Sequence, residues 1–144
     1  MVESMTARTR LAATARGRLA ERLRSLRAQA WPGHPVTQRQ IAQALQASAP
    51  LVSSWENPNG DAVPPEERLH AYALFFATER SIEGEPASLL DLTDLTAAEE
   101  RRRTELLGEL IALRNETFAA QRLSDRARSF WHFPDGQPIR IISS

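Results

Sequence analysis

Bond-making chemistry finds few footholds in this chain. It has no cysteine, and His34, His70 and His132 are scattered without ligand spacing, so neither a thiolate nor a metal centre nor any cofactor is expected. G-x-S-x-G, a P-loop, H-E-x-x-H and a Gly-rich dinucleotide turn are all missing. Glu99 and Glu100 are adjacent, and neighbours on a helix point about 100° apart, so the two carboxylates do not converge on a substrate. No enzymatic activity is expected. What the polar residues can do is hold an anion without reacting with it. Thr37 and Ser48 are good helix N-caps, and a helix start such as the one after Thr37 turns open amides toward a phosphate oxygen.

Charge points the same way. The net charge is zero over 144 residues. Residues 1–60 nevertheless carry eight Arg against Glu3, Glu21 and Glu56, a net of +5, which leaves ten Arg against fifteen carboxylates, a net of −5, in residues 61–144. An anionic partner is drawn to the first half. Every basic residue apart from the histidines is Arg. Bidentate phosphate contact is one reading of that bias, and GC-rich coding is the simpler one. Hydrophobic residues at 42% and charged residues at 25% fit a folded chain of one ordinary domain, or a small module with an added element. No apolar stretch is long enough for a signal peptide or a membrane span, so a cytoplasmic protein is expected.

The elements that must position these residues are helices. Residues 1–10 are polar and aperiodic and are expected to be a flexible basic arm. Leu19, Leu23, Leu26 and Ala30 share one helical face, and Trp31-Pro32-Gly33-His34-Pro35 ends that helix. Thr37 caps a second helix carrying Ile41, Ala42 and Leu45. Ser48 caps a short third one with Leu51, Val52 and Trp55 inward. Asn57 to Asp61 is a loop, and Pro64 or Pro65 opens a fourth helix with Leu69, Tyr72, Ala73 and Phe76. After a break at Ser81 to Pro86, Leu89 to Leu95 is expected to be a short fifth helical turn. Thr96 and Glu99 form a capping box for a long helix over about 97–122. Phe130 to Phe133 and Ile139 to Ile142 flank Pro134 to Pro138 and are expected to form a β-hairpin.

The two short helices joined by Gln46 and Ala47 are arranged as a helix-turn-helix, whose second member can enter a major groove about 12 Å wide. The run from Val36 through Thr37, Gln38, Ile41, Ala42 and Leu45, then Ser48 and Val52-Ser53-Ser54-Trp55-Glu56-Asn57, with Pro64, Glu67 and Leu69 beyond, resembles the Cro/C1-type, or xenobiotic-response-element, helix-turn-helix family. The resemblance covers roughly residues 18–77. It implies a mainly α, five-helix DNA-binding domain, which the pattern of elements places over 11–95, with the long helix and hairpin of 96–144 following it. It also implies a dimeric repressor-like regulator of transcription that reads double-stranded DNA with residues 49–56. On that resemblance Gln38, with Arg39 beside it, meets the DNA backbone or an adjacent base, and Asn57 reaches a phosphate or holds the loop. Ala49, Pro50, Ser53 and Ser54 face the bases.

Ala49 and Pro50 depart from a polar reading surface and offer only apolar contact, for instance to a thymine methyl. That departure motivates a competing reading, a helix-turn-helix that binds protein, as the antitoxin or sensor half of a two-component pair. Arg8, Arg10, Arg16 and Arg18 can be read as a minor-groove arm or as a solvated tail. Arg101, Arg102 and Arg103 with Glu99, Glu100 and Glu105 read as a charged helix face. The apolar face of Leu106, Leu107, Leu110, Ile111, Leu113 and Phe118, together with the hairpin, is expected to make a two-fold homodimer through residues 97–144. The alternative is that it packs on the fourth helix of the same chain.

Overall fold

The computed structural model describes residues 2–131, with side-chain surroundings for residues 14–127. Among the described residues there are five α-helices and no strand: α1 (Val2–Gln29), α2 (Gln38–Leu45), α3 (Ala49–Trp55), α4 (Glu66–Ala77) and α5 (Ala97–Trp131). Two 3-10 turns, Glu79–Ile82 and Leu92–Asp94, lie between α4 and α5. The second of these stands where a short fifth helix was expected.

α1 buries Leu19, Leu23 and Leu26 on one face, as their spacing requires. It starts at Val2, so residues 2–10, expected as an irregular arm, are helical. No Pro or Gly precedes Gly17, and a stretch without an apolar period can still extend a helix nucleated further along. The helix stops at Trp31 to Pro35, where Gly33 takes a φ of 86° and His34 N–H donates to the Trp31 carbonyl at 2.9 Å. Trp31 then packs its ring 5.4 Å from that of Phe76, which anchors the entry to α2. Thr37 and Gln40 form a reciprocal capping box at the start of α2. Ser48 accepts from Leu51 N–H at the start of α3.

α5 lies antiparallel to α1, with Arg22 paired to Glu109, Arg18 to Glu116, and Ala15 packed with Ala120. Its seam, Leu106, Leu110, Leu113, Thr117, Ala120 and Ser124, keeps a coiled-coil spacing but shrinks from leucine to small residues away from the core. Leu106 and Leu110 share one core with Leu23, Tyr72 and Phe76, and Leu107, Ile111 and Leu113 pack against it half-buried. Phe118 lies under the Arg114 guanidinium at 4.7 Å. The apolar width that suggested a two-fold interface is therefore used in part within one chain, where Leu106 and Leu110 are buried, while Leu107, Ile111, Leu113 and Phe118 remain half-buried.

The expected hairpin is corrected at its start. Phe130 and Trp131 belong to α5, because no Pro or Gly interrupts the chain between Gly108 and Pro134. The rest of that expectation, residues 132–142, lies outside the described residues. No helix among the described residues is long and apolar enough to cross a membrane.

Candidate functional site

α2 is too short to hold its own direction, and its start is fixed by side chains. Thr37 Oγ1 accepts from Gln40 N–H at 3.1 Å, while Gln40 Oε1 accepts from Thr37 N–H at 2.9 Å. The amides of Gln38 and Arg39, at the first two helical positions, have no intrahelical acceptor and face outward. Arg39 is exposed and has no ion-pair partner among the described residues. Gln38 is half-buried instead of free, and its Nε2 donates to Glu56 Oε1 at 3.1 Å. That bond places the start of α2 beside the end of α3.

Between the two helices the chain reverses through Gln46, which adopts the left-handed conformation (φ 54°, ψ 46°) and donates its N–H back to the Ala42 and Gln43 carbonyls. Glycine is the usual residue at such a helix end, because a Cβ there is crowded. Arg68 of α4 satisfies the Leu45 carbonyl with a 2.6 Å bond and lies over the Trp55 ring.

α3 buries Val52 and Trp55, and Glu56 just beyond them is 2% exposed. Leu51, expected inward, is 40% exposed. The inward stripe is Val52, Trp55 and Glu56, and a glutamate in that position hides the pattern from a purely apolar reading. Glu56 collects partners from the three other helices of the domain. Arg27 donates from Nη2 at 2.7 Å and from Nε at 2.8 Å, Gln38 donates as above, and the Tyr72 hydroxyl donates to Oε2 at 3.4 Å. Burial pushes the Tyr72 hydroxyl well above the ordinary tyrosine range, and the Glu56 carboxylate pushes it further.

Few of the side chains expected to read bases are free to do so. Ala49 and Pro50 are exposed and carry no polar group. Ser54 Oγ is turned back to donate to the Leu51 carbonyl at 2.6 Å. Ser48 Oγ is engaged as the cap. Ser53 is left as the exposed α3 residue whose hydroxyl has no partner among the described residues. Asn57 is exposed, but its Oδ1 accepts from Asn59 N–H at 3.0 Å, so it holds the loop that follows α3. The structure thus ties Gln38 to Glu56, the residue before Asn57, and leaves Ser48, Ala49, Pro50, Leu51 and Ser53 exposed.

The arginines divide sharply. Arg16, read as part of an arm or tail, is 4% exposed and donates to three carbonyls behind α3. Arg18 and Arg22 pair with α5, and of the Arg101 to Arg103 run only Arg103 has a pair among the described residues, Glu100 at 2.7 Å. An open groove of about 810 Å³ between α1, α5 and the Pro58-Asn59 turn has its arginines already paired with glutamates. Residues 18–81 match a family model described as a helix-turn-helix domain. No curated protein and no solved structure matches the chain.

Proposed function

Residues 18–81 are a helix-turn-helix domain of the Cro/C1 type, and from that premise we propose that the chain binds double-stranded DNA and regulates transcription by docking α3 in a major groove. The observation that carries this reading is the start of α2. Two open amides and an unpaired Arg39 stand there, next to the end of α3 to which Gln38 is bonded through Glu56, and this suits a phosphate. Base reading is thin, since Ser53 is the free hydroxyl and Ala49, Pro50 and Leu51 offer apolar contact such as a thymine methyl. Affinity in this reading rests on the backbone, with narrow sequence preference. A two-fold dimer through residues 97–144 belongs to the proposal, since Leu107, Ile111, Leu113 and Phe118 stay only half-buried and a second copy would double a thin reading surface.

Titration of random-sequence duplex at several salt concentrations tests the proposal. Affinity is expected to fall steeply as salt rises, and Arg39→Ala should lower the log–log slope by about 1, the loss of one phosphate contact. Absence of binding at low salt overturns it. That result would favour the second reading, a protein-binding helix-turn-helix, which the exposed Ala49-Pro50-Leu51 surface supports.

A further inference from the structure

Arg16 precedes the segment that matches the helix-turn-helix model, yet its guanidinium is used wholly inside that segment. Nε donates to the Ala62 carbonyl, Nη1 to the Asn57 carbonyl at 2.7 Å and Nη2 to the Ser54 carbonyl at 2.9 Å. The acceptors follow one another along the chain, from the last turn of α3 through the loop that Asn57 organises. No carboxylate lies within ion-pair distance of it among the described residues. Burial lowers its pKa from the ordinary arginine value, and Asp61 opposes that only in part.

A buried cation without a carboxylate is costly unless its donors are satisfied. Here carbonyl dipoles do it. Ser54 is among the last residues of α3, whose carbonyls have no intrahelical donor. A helix of seven residues cannot hold its own direction, so its angle to a groove must be set from outside. The guanidinium is planar and rigid, and three bonds from its three nitrogens fix the end of α3 and the loop against α1, which is itself braced by α5.

We propose that Arg16 is a positioning residue of the DNA interface, setting the angle of α3 and the place of the Asn57 loop. The proposal rests on the DNA-binding reading above. Arg16→Met removes the donors while keeping most of the bulk. At a temperature where circular dichroism shows it fully folded, it should bind duplex at least tenfold more weakly than the wild type at matched salt. A purely structural role would lower the unfolding midpoint and leave the affinity of the folded molecules unchanged, because apparent affinity falls only with the competent fraction. A folded Arg16→Met that binds within twofold of the wild type overturns the proposal.

If Arg16→Met does not fold, Arg16→Lys takes its place, with one nitrogen where Arg has three. A several-fold loss is expected, and binding within twofold of the wild type overturns the proposal again. Amide resonances of residues 53–62 provide a readout that needs no DNA: they should shift in either variant while those of α2 hold. Should the wild type itself fail to bind duplex, the DNA reading falls, and unshifted resonances at 53–62 would remove the role of Arg16 as well.

Discussion

At the start of α3 the backbone rests on one side-chain bond, from Leu51 N–H to Ser48 Oγ, and the residues beyond it, Ala49, Pro50 and Leu51, face outward. At the end of the same helix Arg16 takes the Ser54 carbonyl, Arg68 covers the Trp55 ring, and Glu56 is held by Arg27, Gln38 and Tyr72. One end is open and lightly capped, and the other is tied to α1, α2 and α4. The difference separates two tasks. Direction is set where the helix is buried, and contact is left to an edge that carries little of the domain's stability. A surface of this kind can exchange its reading residues without cost to the fold.

The comparison breaks most visibly at Glu56. Glu56→Ala leaves Arg27 and the Tyr72 hydroxyl without their acceptor and should cost about 3 to 5 kcal/mol in denaturant unfolding. The lower end is expected, because the Arg27 side chain keeps 20% of its exposure and still donates to the Val36 carbonyl. A loss below about 1 kcal/mol would mean that the buried end does not hold the helix. The other end should answer more weakly. Ser48→Ala removes one cap and should cost about 1 kcal/mol in the same assay. An effect as large as that of Glu56→Ala would erase the contrast.

Much of the helical frame was legible in the sequence, because local rules set it. Thr37, Ser48 and the Thr96–Glu99 box cap the helices they were expected to cap, and Trp55 is buried. Long-range pairing was not legible. Nothing local tells Arg16 from Arg18, two residues apart, although the first is buried on carbonyls and the second is paired at the surface. Glu56 reads as one more carboxylate until Arg27 and Tyr72 are brought to it. Leu51 reads as core in the sequence because a stripe containing a buried glutamate looks broken. The width of the α5 face left two answers open, a second copy or the chain's own helices, and no spacing tells that Leu106 and Leu110 are buried while Leu107 and Ile111 stay half-buried. Of the site itself, the start of α2 was legible, whereas the withdrawal of Ser54 into its own helix depends on a rotamer that no spacing reveals.

The smallest expected effect has the opposite sign and lies in the turn that precedes the open end. Gln46 is held at φ 54°, and its side chain is exposed with no partner among the described residues. A left-handed conformation costs an L-residue about 1 to 2 kcal/mol. Glycine avoids that cost but gives up about 0.5 to 1 kcal/mol through the freer unfolded chain. The backbone bonds from this position to the Ala42 and Gln43 carbonyls need no side chain, so glycine keeps them. Gln46→Gly should therefore stabilise the protein by about 0.5 to 1 kcal/mol, read as a higher denaturant midpoint with an unchanged slope. Duplex affinity should stay within twofold, because the angle of α3 is set at its far end and not in this turn. Weakened binding in a stabilised Gln46→Gly variant would show that the turn, as well as the buried end, governs how α3 is presented.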